Sequence, residues 1–209
     1  MAHFLRIKGL FAKLFGKKRS RVGIYGPPNA GKTTLANRIV RDVSGEALGP
    51  ASEIPHETRR ARRKEGVEIK TGSSSKLTID IVDTPGVTTK IDYHEFLEYG
   101  MEQDEAINRA REATEGVAEA MHWLREDIDG VIYVLDSTQD PFMHVNIMMV
   151  GIIGARKLPV VIVANKIDLP DAMPQRIRSA FPQHPVVEIS GLEGNNMDAL
   201  YAKMGEIFK

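Results

Sequence analysis

From residue 21 onward, short apolar, β-branched runs alternate with longer stretches that mix polar and apolar positions. The runs are 22–25, 67–70, 77–82, 131–135, 160–164 and 186–189. Several are apolar almost throughout, as strands covered on both faces must be. Helix-period patterns lie between them, at about 32–42, 92–127, 142–157, 171–180 and 196–208. The alternation predicts an α/β fold with a mostly parallel central sheet and helices on both faces. Gly72-Ser73-Ser74-Ser75 separates two strand runs as a hairpin turn would, so that pair is expected to be antiparallel. Residues 48–64, broken by Gly49-Pro50 and Pro55, read as a loop. The stretch 92–129 is too long for an ordinary helix, which predicts an extended helix or two helices broken near Gly100 or Gly116.

Composition narrows the class. A chain of 209 residues, 42% apolar and 27% charged, is an ordinary globular domain with room for a real core. It has no cysteine, which excludes thiol catalysis, a thiolate zinc site and a disulfide framework. No apolar stretch approaches the roughly 18 residues needed to cross a bilayer. The N-terminus does not read as a secretory signal, because Arg6, Lys8 and Lys13 interrupt its apolar residues.

Gly26-Pro27-Pro28-Asn29-Ala30-Gly31-Lys32-Thr33 fits G-x-x-x-x-G-K-[ST], between a strand run and a helical pattern. Glycines let such a loop wrap an anion with its N–H groups inward, and the helix start adds its positive dipole end. Lys32 is placed to neutralise β- and γ-phosphates, and the Thr33 hydroxyl to bind Mg²⁺. The contact set here is Asn29, Ala30, Gly31, Lys32, Thr33 and Thr34. Asp83-Thr84-Pro85-Gly86 closes the next apolar run. In an open parallel sheet the ligand sits at the carboxyl ends of the strands. Asp83 is thus placed to hold Mg²⁺ through water, and the Gly86 N–H to meet a γ-phosphate.

Asn165-Lys166-Ile167-Asp168 follows another apolar run. A carboxylate at Asp168 accepts from the N1–H and N2–H edge of guanine, a donor pair that adenine lacks. The Lys166 stem can lie over the base, and Asn165 can tie this loop to the phosphate loop. Ser190-Gly191 ends the last run and offers a backbone N–H to guanine O6. Asn-Lys-Ile-Asp alone is a weak signal; its place after two phosphate motifs makes it a strong one.

Together these segments resemble the five-motif GTPase domain, and specifically its Era-like branch, the TrmE-Era-EngA-EngB-like P-loop GTPases. The phosphate loop, Thr58-Arg59, Asp83-Thr84-Pro85-Gly86 with Ala106-Ile107-Asn108-Arg109, Asn165-Lys166-x-Asp168 and Ser190-x-x-x-Gly194 carry the likeness over residues 20–209. Gly191 stands where the family usually has alanine. The resemblance implies binding of GTP and GDP with Mg²⁺ and hydrolysis to GDP and phosphate. Lys32, Thr58, Gly86 and Asn29 are the implied catalytic residues. Thr33, Thr58 and Asp83 are the implied metal set, with Thr58 closing onto Mg²⁺ when a γ-phosphate is present. Val87 follows Gly86, where many GTPases carry a glutamine that orients the attacking water. Relatives with an apolar residue there are slow alone, and in several a phosphate-loop asparagine helps to bind K⁺. Asn29 matches that asparagine, and a plain turn-former is the equal alternative. His94 either reaches the water or is a solvated loop residue. Trp123, Met143, Met148 and Met149 are expected to pack in the core.

Charge balances at 28 basic against 28 acidic residues, yet it is segregated. Residues 1–22 hold seven basic residues and no acidic one. On a helix, Phe4, Ile7, Leu10, Phe11, Leu14 and Phe15 fall within an arc of about 140°. Residues 1–19 therefore read as a basic amphipathic segment ahead of the G domain at 20–209, suited to a membrane surface, to docking on the domain or a protein, or to RNA. Arg59, Arg60, Arg62, Arg63 and Lys64 form a second cluster, either an RNA-sensing loop or a solvated one. Residues 92–129 carry twelve acidic and three basic residues, which excludes a phosphate-binding face. Era proteins carry an RNA-binding KH domain after the G domain, and none is expected here. Two roles stay open: a cytoplasmic switch acting on ribosome or RNA, and a peripheral membrane GTPase that recruits an effector protein through residues 4–19. A nucleotide-dependent dimer belongs to the same set of expectations.

Overall fold

The computed structural model describes residues 19–49, 58–72 and 75–208. The amphipathic stretch 4–15 and the loop residues Pro55 and His56 lie outside the described residues. The elements run β1 (Ser20–Tyr25), α1 (Lys32–Ser44), β2 (Arg62–Lys70), β3 (Lys76–Asp83), α2 (His94–Leu97), α3 (Gln103–Glu126), β4 (Gly130–Asp136), α4 (His144–Ala155), β5 (Val160–Asn165), α5 (Pro174–Ala180), β6 (Val186–Glu188) and α6 (Met197–Ile207). They build one six-stranded sheet in the order β2-β3-β1-β4-β5-β6. Every pairing is parallel except β2 with β3, which is antiparallel.

The apolar runs form strands because both faces of the sheet are covered, and successive side chains go to opposite layers. Ile132 and Val134 of β4 pack with Leu35 and Ile39 of α1 and Leu200 and Met204 of α6. Val131, Tyr133 and Leu135 of the same strand pack with Ala120 and Leu124 of α3, Met149 and Ile153 of α4 and Ile177 of α5. The fold is thus an α/β sheet with helices on both faces.

The acidic stretch is two helices. The chain breaks at Gly100, whose φ of +80° is left-handed, between α2 and α3. Gly116 lies within α3 instead, buried where a Cβ would stand 3.1 Å from Pro85 Cβ and 3.2 Å from the Arg59 carbonyl oxygen. A small residue there lets α3 seat against the ends of both phosphate-side loops.

The loop expected over 48–64 ends earlier, because Arg62–Lys64 already belong to β2. The basic cluster there is matched by acidic partners. Arg59 meets Glu112 at 3.1 Å, Arg60 meets Glu119 at 3.8 Å, Arg63 meets Asp80 at 2.7 Å and Lys64 meets Glu46 at 2.8 Å. A bulge at Gly66, φ +66°, turns its N–H onto Asp80 Oδ1 at 2.8 Å. Asp80 thereby sits buried between Ile79 and Ile81 with its charge satisfied. Met149 is buried and Trp123 and Met148 pack at the core edge, whereas Met143, expected in the core, is 44% exposed because it precedes α4 at its outer side. Among the described residues, no helix is long and apolar enough to cross a membrane.

Candidate functional site

Parallel pairing brings the carboxyl ends of β1, β3, β4 and β5 to one edge: Ile24 pairs with Asp83, Tyr25 with Tyr133, and Asp136 with Asn165. The loops leaving that edge carry the residues singled out by the sequence. Between β1 and α1, Gly26 (φ +148°), Asn29 (φ +57°) and Gly31 (φ +91°) adopt positive φ, which folds the loop back on itself. A Cβ on Gly26 would meet the Val134 carbonyl oxygen at 2.1 Å, and one on Gly31 would meet Asn165 Nδ2 at 2.3 Å. Both positions demand glycine for space as well as for dihedral angle. Ala30 is buried, Thr34 half-buried and Asn29 exposed.

Lys32 opens α1, nearly buried, and its Nζ donates to the Pro27 carbonyl at 2.6 Å. The ammonium thus lies across the mouth of the loop. Burial lowers its pKa to about 8, with the Asp83 charge opposing. The next residue, Thr33, donates from Oγ1 to Asp83 Oδ2 at 2.8 Å. Its oxygen also lies 2.8 Å from Thr58 Oγ1. A hydroxyl has one proton, so Thr58 is the donor in that second bond. Asp83 is fully buried, its Oδ1 has no hydrogen-bond partner among the described residues, and burial pushes its carboxyl up to about 6 against Thr33, Lys32 and Arg62. Two hydroxyl oxygens beside an orphaned buried carboxylate oxygen make a hard, oxygen-rich donor set of the kind Mg²⁺ takes. These residues fit the ion.

The two loops facing this centre are tied down. Val87 N–H donates to the Gly26 carbonyl at 3.1 Å, and Gly86 lies against Pro28, where a Cβ would stand 3.0 Å from its Cα. Thr84 Oγ1 donates to the Ile24 carbonyl at 2.7 Å. Ala61 N–H donates to Glu119 Oε1 at 3.0 Å, so the segment following Thr58 rests on α3. Val87 is buried. His94 is exposed and held by Asp92 at 2.6 Å, which favours the solvated reading of that residue.

At the neighbouring end of the site, Asn165 donates from Nδ2 to the Ala30 carbonyl at 2.9 Å. Its Oδ1 accepts from the Gly191 N–H at 2.9 Å. Ser190 is buried and closes its turn by accepting from Gly194 N–H and, at Oγ, from Glu193 N–H. Asp168 is exposed, and its carboxylate has no hydrogen-bond partner among the described residues. Lys166 takes a left-handed conformation, φ +65°, and its Nζ reaches Asp136 Oδ2 at 2.6 Å. Asp136 Oδ1 in turn accepts from both Thr138 N–H and Thr138 Oγ1–H. Sequence reasoning missed Asp136 and also Arg38, which donates to the Gly191 and Leu192 carbonyls. A signal for Asp136 exists: like Asp83 and Asn165, it is the polar residue that closes an apolar strand.

Comparison with known proteins agrees with this geometry. Residues 21–166 match the family model described as 50S ribosome-binding GTPase. The chain is 29% identical over 191 residues to GTPase Era of Ectopseudomonas mendocina, covering 88% of this chain and 54% of that protein. It is 31% identical over 188 residues to the tRNA modification GTPase MnmE of Syntrophotalea carbinolica, covering 90% of this chain and 34% of that one. The chain thus spans about half or less of these relatives' length. Among solved structures it superposes on Aquifex aeolicus Era bound to GDP and AlF₄⁻, with TM-score 0.67 and 24% identity over 92% of this chain and 57% of that one. Era in complex with MgGDPNP and nucleotides 1506–1542 of 16S ribosomal RNA superposes equally, with TM-score 0.67 and 23% identity over the same shares. With its fold, its loop order and the match over residues 21–166, this chain belongs to the 50S ribosome-binding GTPase family.

Proposed function

We propose that this chain binds GTP with Mg²⁺, hydrolyses it to GDP and phosphate, and uses the cycle as a switch whose partner is the ribosome or its RNA. The observation that carries the reading is the hydrogen-bonded chain from Thr58 through Thr33 to Asp83, beside Lys32, at the carboxyl ends of the strands. Thr33, Asp83 and Thr58 would hold Mg²⁺, which neutralises charge on the β- and γ-phosphate oxygens when bound. Lys32 exchanges the Pro27 carbonyl for phosphate oxygens, and the N–H groups from Asn29 to Thr34 surround them. Gly86 brings the second loop close enough for its N–H to meet the γ-phosphate. Asp168 reads the guanine edge, the Lys166 stem covers the base, Asn165 joins the base and phosphate loops, and the Ser190-Gly191 turn supplies an N–H to O6.

Thr58 and Gly86 stand on loops that share α3 through Glu119 and Gly116. Loss of the γ-phosphate removes their common contact and releases both together. Val87 has no group to orient water, so hydrolysis is slow unassisted, and K⁺ held with help from Asn29 takes the place of an arginine finger. The ribosomal assignment is supported by the family description and by the Era complex with 16S ribosomal RNA. The ion pairs of the Arg59–Lys64 cluster argue against that cluster as the RNA contact in this arrangement.

The test is a pair of measurements. Fluorescent GTP and GDP should bind in Mg²⁺ and be displaced by unlabelled GTP but not ATP. Protein loaded with a non-hydrolysable GTP analogue should cosediment with ribosomal subunits more than GDP-loaded protein does. Equal displacement by ATP defeats the guanine reading, and nucleotide-independent or absent cosedimentation defeats the ribosomal one.

A further inference from the structure

We propose that Arg38 positions the backbone N–H that meets guanine O6, and that this donor is the N–H of Leu192. The proposal rests on the guanine reading above and assigns its O6 contact. In the turn after β6, most N–H groups are already spent. Ser190 N–H donates to the Asn195 carbonyl at 3.2 Å, and Gly194 N–H to the Ser190 carbonyl at 2.8 Å. Glu193 N–H donates to Ser190 Oγ at 3.0 Å, and Gly191 N–H to Asn165 Oδ1 at 2.9 Å. From Ser190 to Gly194, only the Leu192 N–H has no partner among the described residues. Leu192 is exposed, whereas Ser190 and Gly191 are buried. The uncommitted donor thus sits where the turn meets solvent.

Arg38 holds the peptide that carries this donor. It lies on α1, about 9 Å along the helix axis from Lys32. Its Nε donates to the Gly191 carbonyl at 3.3 Å, and its Nη2 donates to the Leu192 carbonyl. A Cβ on Gly194 would stand 3.4 Å from the Arg38 Cζ, so the guanidinium also lies against the far limb of the turn. Arg38 forms no ion pair among the described residues, and its hydrogen bonds go to this turn. The peptide between Gly191 and Leu192 is trans, so its carbonyl and its N–H point in opposite directions. Holding the carbonyl on Arg38 therefore aims the Leu192 N–H away from the guanidinium. A charged donor on the carbonyl also polarises the peptide and strengthens its N–H as a donor.

Gly191 makes such a hold necessary. Its φ is not left-handed, and a Cβ there would stand 3.4 Å from Asn165 Oδ1 and 3.6 Å from Leu35 Cα. Neither dihedral angle nor space demands glycine at this position. Its conformational freedom leaves the following peptide able to rotate, and the two bonds from Arg38 fix it.

The test compares the binding of GDP, inosine diphosphate and 6-thioguanosine diphosphate to the full chain. Inosine keeps O6 and N1–H but lacks the amino group. 6-Thioguanosine keeps both donors that face Asp168 but carries a weakly accepting sulfur in place of O6. In Arg38→Ala, the preference for GDP over the thio analogue should fall at least threefold, while the preference for GDP over inosine diphosphate stays unchanged. A ratio taken within one variant does not depend on the fraction folded. An unchanged thio ratio overturns the proposal. So does an equal fall in both ratios, which marks a general loosening of the site. A native chain that binds GDP no tighter than ADP defeats the guanine reading itself, and the proposal with it. NMR of the ¹⁵N-labelled native chain locates the donor without any substitution. Between the GDP and 6-thioguanosine diphosphate complexes, the Leu192 amide resonance should move more than any other from Ser190 to Gly194; a larger movement at Gly191 overturns the assignment.

Discussion

The Asn165 side chain donates to the Ala30 carbonyl and accepts from the Gly191 N–H, both at 2.9 Å, and so joins the phosphate loop to the turn after β6. Asn165 is nearly buried, and both of its bonds are buried. Removing the amide strands an acceptor and a donor, each costing about 1–3 kcal/mol. Asn165→Ala is therefore expected to lower unfolding free energy by about 2–4 kcal/mol and to weaken GTP binding at least tenfold. Urea denaturation with and without GDP measures both effects. Full stability with weakened binding would show that Asn165 touches the nucleotide without holding the loops together.

Asp168 is exposed just after β5, and its carboxylate has no hydrogen-bond partner among the described residues. Asp168→Asn replaces an acceptor by a group that also donates. Losing two charge-assisted bonds to the guanine edge should cost about 3–4 kcal/mol, a factor of a hundred or more in GTP affinity. Xanthine offers a carbonyl where guanine has an amino group, so XTP should gain on GTP in the variant. Competition binding with the two nucleotides reads the exchange; an unaltered preference for GTP places base recognition elsewhere.

Asp80 is buried in β3 and accepts from Arg63 at 2.7 Å and from Gly66 N–H at 2.8 Å. Burial alone would raise its pKa, but those bonds and the Arg63 and Arg19 charges outweigh burial and hold it below the ordinary 3.8. Above that ordinary value the carboxylate is ionised in both folded and unfolded chains, and its stabilisation is complete. As pH falls toward the lower folded value, the unfolded chain binds the proton first and stability is lost. Asp80→Asn should cost about 1–3 kcal/mol at pH 7. It should also flatten the fall in stability below about pH 4. Denaturation midpoints at pH 7 and below pH 4, for both proteins, decide the matter.

Much of this architecture is legible in the sequence because strand and phosphate-loop signals are local. An apolar run closed by a polar residue needs only its own few positions, and each such run became a strand. The bond from Asn165 to the phosphate loop was foreseeable because both segments leave the same sheet edge. What escaped depends on contacts distant in sequence. Arg62, Arg63 and Lys64 look like a loop because their charge hides a strand; the partners that let them pair with β3, Asp80 and Glu46, lie elsewhere in the chain. Gly116 reads as a helix breaker, and only the approach of Pro85 and Arg59 explains it inside α3. Asp136 carries no motif, and its role follows from Lys166 folding back across the loop.

Asn29 is exposed at a left-handed position near the glycines of its loop, and Val87, next to Gly86, is buried and apolar. If K⁺ takes the place of an arginine finger, phosphate release should be at least tenfold faster in K⁺ than in Na⁺ at equal ionic strength. Asn29→Ala should erase that difference while leaving GTP binding within a few-fold. Equal rates of the native protein in the two salts would remove K⁺ from the account.

The most direct test of the whole reading is Mg²⁺-dependent phosphate release under single-turnover conditions, with GTP and with ATP, for the native chain and for Lys32→Ala. The account predicts release from GTP that stops on chelation of Mg²⁺, none above background from ATP, and a loss of at least a hundredfold in Lys32→Ala. Equal release from both nucleotides, or an undiminished rate in Lys32→Ala, would contradict it.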